Sequence, residues 1–231
     1  MGESHGGLEL IFSARPGDLS AAVANSMDSR VPRVVVFDLG KVLLDFDYFI
    51  AAQALSPLSR LAATDFKRVL DQSPLLQEFE TGALSNEEFY SEVRRLTGYR
   101  GSYDQFAAAF GDIFTEIPPM VALHQDLKTK GVTTWAFSNT NDLAIGHIRR
   151  QFPFYGDFAG TVLSHEIGAM KPNSASYEAI EAATGFRGSE LLYLDDRPEN
   201  IEGAQRRGWQ TIHHTDPMDS IKRVWAALGL N

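Results

Sequence analysis

The chain has 231 residues, of which 44% are hydrophobic, so it is long enough to bury a sizeable core. Its formal net charge of −9 argues against a nucleic-acid partner, and no apolar run is long enough to cross a membrane. The absence of cysteine excludes disulfides and cysteine-based zinc sites, and it fits a cytoplasmic protein.

Residues 1–30 are mostly small and polar, and they include Glu3, Glu9 and Asp18. They lack the basic start and apolar centre of a secretion signal, and transit peptides are poor in such acids. We therefore expect this segment to be a flexible N-terminal extension.

From Arg33 onward, apolar runs rich in β-branched residues alternate with amphipathic stretches. Strands are predicted at 33–38, 132–138, 161–164, 191–195 and 210–213. Helices are predicted at 119–130, 141–151, 174–184, 198–207 and 216–228. This alternation predicts an α/β fold, with an open parallel sheet covered by helices on both faces.

Residues 46–114 do not follow that alternation, because their pattern is helical throughout. Ser85 and Glu88 have the spacing of a capping box, which opens a helix that ends at Gly98. We therefore predict that 46–114 is a helical insertion in a core domain formed by residues 31–45 and 115–231.

Polar side chains stand where the predicted strands end. Asp38 follows the first strand, Ser138 and Asn139 end the second, and Asp195 and Asp196 end the fourth. Lys171 precedes the helix that follows the third strand. Because ligands of open parallel sheets bind outside the carboxyl ends of the strands, these side chains are expected to meet at one edge.

Three carboxylates at one edge repel each other unless a cation lies between them. Oxygen ligands at an open site suit Mg²⁺, which commonly also binds a substrate phosphate. Lys171 and the Ser138 hydroxyl would then hold phosphate oxygens, and Asp38 could attack phosphorus to form an aspartyl-phosphate. Each residue alone could be an ordinary turn, cap or loop residue, so the inference depends on their joint occurrence.

Together these segments resemble the four motifs of the haloacid dehalogenase (HAD) superfamily. The matching segments are FDLGKVL at 37–43, FSNTN at 137–141, GAMKP at 168–172 and YLDDRPENIEGA at 193–204. The stretch FETGALS at 79–85 resembles the small helical cap (C1 type) that this superfamily inserts after its first motif. The resemblance implies a Rossmann-like parallel-sheet core with an inserted small α-helical cap domain.

The resemblance also implies a Mg²⁺ site. Asp38 would be both nucleophile and metal ligand, and Gly40 would offer its backbone carbonyl to the metal. Asp196 would bind the metal directly, and Asp195 would assist or act through water. Asn200 would steady the metal-site loop.

For the phosphoryl group, the resemblance implies a separate set of residues. Ser138 and Asn139 would hold it, and Lys171 would neutralise its charge. Asp38, Ser138 and Lys171 are therefore the predicted catalytic residues.

Gly40 departs from most phosphatases of the superfamily, which carry an Asp there as general acid and base. The DLG-V variant nevertheless resembles a branch that includes sugar-phosphate phosphatases, among them enzymes acting on glucose 1-phosphate. The missing acid would come from water, the substrate or a relocated carboxylate, for which Asp45 and Asp47 are candidates. Their alternative role is to cap the first helix of the insertion.

The sequence thus predicts a Mg²⁺-dependent phosphatase of a small phosphorylated metabolite, with a sugar phosphate as the favoured class. One alternative is a 2-haloacid dehalogenase that uses Asp38 as nucleophile and needs no metal. The other is a catalytically weak binding or regulatory protein that lost its chemistry at Gly40.

Overall fold

The computed structural model of the protein describes residues 31–71 and 73–230. The predicted N-terminal extension, 1–30, lies outside the described residues. The strands are β1 (Val34–Phe37), β2 (Leu44–Phe46), β3 (Phe114–Glu116), β4 (Thr133–Ser138), β5 (Gly160–Leu163), β6 (Leu191–Asp195) and β7 (Gln210–His213). Five of them form a parallel sheet in the order β5-β4-β1-β6-β7, whereas β2 and β3 form a separate antiparallel pair.

Eleven helices are present among the described residues. They are α1 (Tyr48–Leu55), α2 (Ala63–Leu70), α3 (Pro74–Glu80), α4 (Asn86–Thr97), α5 (Tyr103–Gly111), α6 (Pro118–Thr129), α7 (Asp142–Gln151), α8 (Ser164–Ile167), α9 (Ser174–Thr184), α10 (Pro198–Gln205) and α11 (Pro217–Leu228). The predicted α/β fold with an open parallel sheet is confirmed. Each of these helices is too short or too polar to cross a lipid bilayer.

The central strand β1 is buried on both faces, which explains its uninterrupted apolar sequence. Because side chains alternate along a strand, Val35 and Phe37 pack in the cluster on one side of the sheet. Val34 and Val36 pack in the cluster on the other side. The chain then reaches the sheet edge at Asp38, whose backbone N–H donates to the Leu194 carbonyl at 2.9 Å.

Helices α1–α5, residues 48–111, are here called the helical insert. They bury a separate aromatic cluster, in which Phe79 stacks on Phe89 with ring centroids 4.2 Å apart. The capping box at Ser85 is present and opens α4. The predicted domain boundaries at 45/46 and 114/115 fall within the β2–β3 pair, which the sequence did not predict because each strand has only three residues.

Two close contacts fix the helical insert against the core. The Ser164 hydroxyl donates to the Glu80 carbonyl at 2.5 Å. Two residues further on, Gly82 has φ +72°, and a Cβ at this position would lie only 2.2 Å from the His165 carbonyl oxygen. Only glycine allows the two backbones to approach so closely.

Gly82→Ala should therefore destabilise the protein more than an ordinary substitution of a left-handed glycine. Gly185→Ala is the matched control, because Gly185 has φ +76° and open space around its Cβ position. We expect the free energy of unfolding of the control to fall by about 1–2 kcal/mol, because alanine is strained in the left-handed conformation. For Gly82→Ala it should fall by about 1–3 kcal/mol more, because backbone atoms must also separate. Urea unfolding measures both, and equal losses would contradict the close contact.

His124 on α6 is buried against aromatic rings of the core. Its Nε2 lies 3.0 Å from the Thr134 hydroxyl, and its ring lies 4.1 Å from that of Phe158 and edge-on to Phe37. Burial lowers the pKa of His124 from 6.5 to about 4. The folded protein therefore keeps this imidazole neutral at pH values where the unfolded chain binds a proton.

This difference makes stability depend on pH. The stability that the neutral His124 provides is fully present above about pH 6.5. It is lost as the pH falls toward about 4, and the free energy of unfolding decreases by an amount on the order of 3 kcal/mol. We expect the free energy of unfolding of His124→Leu, measured by urea titration, to fall less than that of wild type across this window. Parallel curves for the two proteins would contradict the assignment.

Candidate active site

The predicted convergence at the sheet edge is seen in the structure. Asp38, Asp195 and Asp196 each offer a carboxylate oxygen, and these three atoms lie within 4.8 Å of one another. Ser138, the last residue of β4, lines the same cleft as Asp38, Lys171 and Asp196. The parallel order of β4, β1 and β6 places these strand ends side by side.

Lys171 lies between two of the carboxylates. Its ammonium donates to Asp195 Oδ2 at 2.8 Å and to the Phe137 carbonyl at 2.8 Å, and lies 3.1 Å from Asp38 Oδ1. The side chain is only 1% exposed. Burial alone would lower the pKa of Lys171, but Asp195 and Asp38 raise it above its usual value, so the group stays charged.

Asp195 is fully buried and accepts hydrogen bonds at both oxygens. Besides Lys171, its donors are the Tyr193 hydroxyl, the backbone N–H of Arg197 and the Asn200 amide. Burial acts to raise the pKa of Asp195, but Lys171 and these donors outweigh it and lower the pKa. Asp195 is thus a fixed anion that holds Lys171.

Sequence analysis missed the role of Tyr193, although a signal was present. Residues two apart on a strand point to the same face, so Tyr193 and Asp195 had to be neighbours. The Tyr177 hydroxyl, which donates to the Asn200 carbonyl at 2.8 Å, carried no comparable signal because the contact joins two helices that are distant in sequence.

Asp38 and Asp196 face the cleft. The Asp38 side chain accepts from the backbone N–H of Leu39 at 2.7 Å. Burial raises the pKa of Asp38 to about 7, Lys171 opposes this rise, and Asp195 and Asp196 add to it. Burial, followed by the charge of Asp195, likewise raises the pKa of Asp196.

The donor set at this edge fits a hard divalent cation. Three carboxylates face one ammonium, so the ionised cluster carries an excess of two negative charges, which matches the charge of Mg²⁺. Burial is the main cause of the raised pKa values of Asp38 and Asp196, and the neighbouring carboxylates add to both rises, which reflects the same imbalance of charge. A bound cation would remove that repulsion.

The two residues predicted to hold a phosphoryl group differ in what they contact. The Asn139 amide donates to the Lys171 carbonyl at 3.0 Å and accepts from the Lys171 N–H at 2.8 Å. It therefore fixes the loop that carries Lys171. The Ser138 side chain, by contrast, has no hydrogen-bond partner among the described residues and faces the cleft.

The ring of Phe46 explains why residue 40 is a glycine. A Cβ at position 40 would lie 2.8 Å from Phe46 Cε1, so the ring occupies the space that a side chain would need. Tyr48 and Phe114 hold this ring, with centroids 5.8 and 5.9 Å away. An Asp at position 40 would require Phe46 to move.

The two predicted replacements for the missing acid make other contacts. Asp45 pairs with Lys41, whose hydrogen bond lowers the pKa of this exposed carboxyl. Asp47 caps α1, accepting from the Phe49 N–H at 2.8 Å. Neither carboxyl belongs to the lining of the cleft beside Asp38.

The cleft has an apolar part and a polar part, and six residues line both: Gly40, Phe46, Tyr48, Glu80, Ser138 and Asn139. The apolar part also contains Leu39, Phe114, Ala144 and Ile148, together with Thr140 and Asn141. The polar part, which contains Asp38, also contains Lys41, Asp71, Gln77, Lys171, Asp196, Arg197 and Asn200, together with Leu76 and Met170. Both kinds of surface therefore lie close to the Asp38 carboxylate.

Lys171→Met should be strongly destabilising, because it leaves Asp38 and Asp195 facing each other without a cation. We expect a loss of about 3–5 kcal/mol in the free energy of unfolding at pH 7. The matched control is Lys67→Met, which breaks a partly exposed pair with Asp71 and should cost about 1 kcal/mol or less. Similar losses in the two variants would show that the buried ammonium contributes little.

Comparisons with known proteins agree with this fold. The chain is 24% identical to the sesquiterpene phosphatase astK of Aspergillus oryzae over 85% of this chain and 97% of that protein. It is 26% identical to the D-ribitol-5-phosphate phosphatase of Bacteroides thetaiotaomicron over 80% of this chain and 93% of that protein.

Solved structures show the same fold. A HAD family enzyme from Bacteroides thetaiotaomicron, in complex with magnesium and inorganic phosphate, is 23% identical with a TM-score of 0.71 over 80% of this chain and 94% of that chain. The L-2-haloacid dehalogenase of Xanthobacter autotrophicus is 17% identical with a TM-score of 0.58, over 78% and 76% of the two chains.

A family profile also matches most of the chain. It is described as hydrolase, haloacid dehalogenase-like hydrolase, and it matches residues 32–208, which include all the strand-end residues of the site. The protein therefore belongs to the haloacid dehalogenase-like hydrolase family.

Proposed function

We propose that this protein is a Mg²⁺-dependent phosphatase that hydrolyses the monoester of a small phosphorylated metabolite. The observation that carries the proposal is the buried Lys171 held between Asp38 and Asp195, with Asp196 and the Ser138 hydroxyl facing the same cleft. This arrangement puts a nucleophile, a fixed positive charge and an excess of carboxylates at one point. The relatives named as phosphatases support the same chemistry.

Mg²⁺ would be held by Asp38, Asp196 and the backbone carbonyl of Gly40. Asp195, which is bonded to Lys171, would assist them. When bound, the metal would neutralise phosphate oxygens and keep the phosphorus in line with the nucleophile. Lys171 would stabilise the charge that builds on the phosphoryl oxygens, and Ser138 would donate a hydrogen bond to one of them. Asp38 would form the aspartyl-phosphate, which water then hydrolyses.

A sugar or polyol phosphate is the substrate class that the polar part of the cleft supports. Lys41, Gln77 and Arg197 provide hydrogen-bond donors around the space beside Asp38, and Asp71 provides an acceptor. Such groups suit a leaving group with several hydroxyls. The relative that is a D-ribitol-5-phosphate phosphatase agrees with this choice.

A second substrate class is favoured by the apolar part of the cleft. Phe46, Phe114 and Ile148 line a small apolar space of about 50 Å³, which would contact only part of a hydrocarbon leaving group such as a prenyl or terpenoid alcohol. The relative that is a sesquiterpene phosphatase fits this alternative. The two classes are distinguished by which phosphate ester is hydrolysed.

The geometry supports a phosphatase over the other two hypotheses. A 2-haloacid would bring its own carboxylate toward Asp38 and Asp196, which would repel it. A binding module would have no need for a buried Lys171 between two carboxylates, an arrangement with a high desolvation cost.

Release of inorganic phosphate tests the proposal, with a panel of hexose phosphates, pentitol phosphates, a prenyl phosphate and para-nitrophenyl phosphate. We expect turnover of at least one metabolite ester that depends on Mg²⁺ and falls about 1,000-fold or more in Asp38→Asn. Asp112→Asn, which changes an exposed carboxyl outside the cleft, is the control and should retain wild-type turnover.

Hydrolysis that persists in Asp38→Asn would contradict the proposed nucleophile. No turnover of any ester by folded, Mg²⁺-loaded protein would favour the binding module. Halide release from a 2-haloacid would favour the dehalogenase.

A further inference from the structure

Glu80 is a residue of the helical insert that lines the cleft beside Asp38. It is the last residue of α3, and it lines both the apolar part and the polar part of the cleft, as Gly40 and Ser138 do. Within residues 31–71 and 73–230, its carboxyl makes no hydrogen bond or ion pair. Asp71, the other insert carboxyl in the cleft, is paired with Lys67.

The backbone of Glu80 is held against the core at a defined point. Its carbonyl accepts from the Ser164 hydroxyl, whose oxygen also accepts from the Thr140 N–H at 2.9 Å. Thr140 follows Ser138 by two residues, so this bond ties the end of α3 to the loop that continues from β4. The approach of Gly82 to the His165 carbonyl secures the next turn of the chain. Glu80 is thus fixed relative to Ser138 and Asp38.

The surroundings of Glu80 favour a carboxyl that holds a proton near neutral pH. Burial raises the pKa of Glu80 to about 7, the negative charge of Asp38 adds to the rise, and Arg197 opposes it. The charged and titratable side chains around the cleft are Asp38, Lys41, Tyr48, Asp71, Lys171, Asp196 and Arg197. His165, on the neighbouring α8, directs its Nδ1 to the Thr140 carbonyl at 3.1 Å.

We propose that Glu80 is the general acid and base of this site, supplied by the helical insert in place of a side chain at Gly40. The proposal rests on the phosphatase function proposed above. It is carried by three observations: the cleft lining shared with Gly40 and Ser138, the unpaired carboxyl, and the fixed backbone. Asp45 and Asp47 are outside the lining of the cleft, and both of their carboxyls have hydrogen-bond partners.

Glu80 would act in both halves of the reaction. In the first, an Asp38 oxygen bonds to phosphorus as the P–O bond to the alcohol breaks, and the Glu80 proton passes to the departing oxygen. In the second, the Glu80 carboxylate takes a proton from water, whose oxygen bonds to phosphorus as the P–O bond to Asp38 breaks. The alcohol and inorganic phosphate leave, and Asp38 and Glu80 regain their starting protonation.

The test compares Glu80→Gln with Glu78→Gln, the same substitution at an exposed position of the same helix. With an alkyl phosphate such as a hexose 6-phosphate or a pentitol phosphate, we expect Glu80→Gln to lose about 100- to 10,000-fold in turnover, and Glu78→Gln to match wild type. Para-nitrophenyl phosphate distinguishes the two halves of the reaction, because nitrophenolate leaves without needing a proton.

On rapid mixing with para-nitrophenyl phosphate, Glu80→Gln should release a burst of about one nitrophenolate per active site and then turn over slowly. The burst would show that Asp38 still attacks while hydrolysis of the aspartyl-phosphate has lost its base. No burst with the alkyl ester is expected.

Three outcomes would overturn the assignment while leaving the phosphatase function standing. One is Glu80→Gln turning over the alkyl ester within about threefold of wild type. Another is an equal loss of turnover on the alkyl and aryl esters without a nitrophenolate burst, which would show that Glu80 only shapes the cleft. The third is the loss occurring in Asp45→Asn or Asp47→Asn instead.

A measurement on the wild-type protein covers the case in which Glu80→Gln does not fold. The dependence of kcat/KM on the pKa of the leaving alcohol, across alkyl and aryl phosphates, should be shallow because an acid protonates the poor leaving groups. A steep dependence would overturn the proposal. Failure of wild-type protein to hydrolyse any ester would instead reject the phosphatase function itself.

Discussion

The ion pairs that Lys171 makes with Asp195 and Asp38 are the constraint on which the whole site depends. A buried ammonium is tolerated only when its charge is matched and its protons are bonded, and here two carboxylates and the Phe137 carbonyl do this. Asp195 is in turn fixed by Tyr193 and Asn200. The register of β6 beside β1 therefore determines where the proposed nucleophile stands, because both strands end at this cluster.

Much of the core could be predicted from sequence for a simple reason. Buried parallel strands have uninterrupted apolar sequences, and their carboxyl ends lie at one edge, so Asp38, Ser138 and Asp195 had to meet there. The helical stretch containing the Ser85 capping box was equally visible, since its polar and apolar spacing is local. These features depend only on neighbours in sequence or on strand order.

The parts that could not be predicted depend on contacts between distant segments. Strands β2 and β3 are three residues each and pair across the whole helical insert, so neither has a pattern of its own. The Phe46 ring that fills the space beside Gly40 could be found only from coordinates. The same holds for the position of Glu80 in the cleft, because the FETGALS stretch at 79–85 does not show which of its side chains the cleft contains.

The β2–β3 pair means that the helical insert is, topologically, an enlarged hairpin loop. The strand residues that flank the insert, Phe46 and Phe114, are paired on adjacent antiparallel strands, so their Cα atoms are only about 5 Å apart. A tight turn of a few residues could close the same ribbon without altering the parallel sheet. Evolution could therefore lengthen, shorten or exchange this segment while the strand ends stay unchanged, and an acid located in it would be inherited together with the other insert residues that line the cleft.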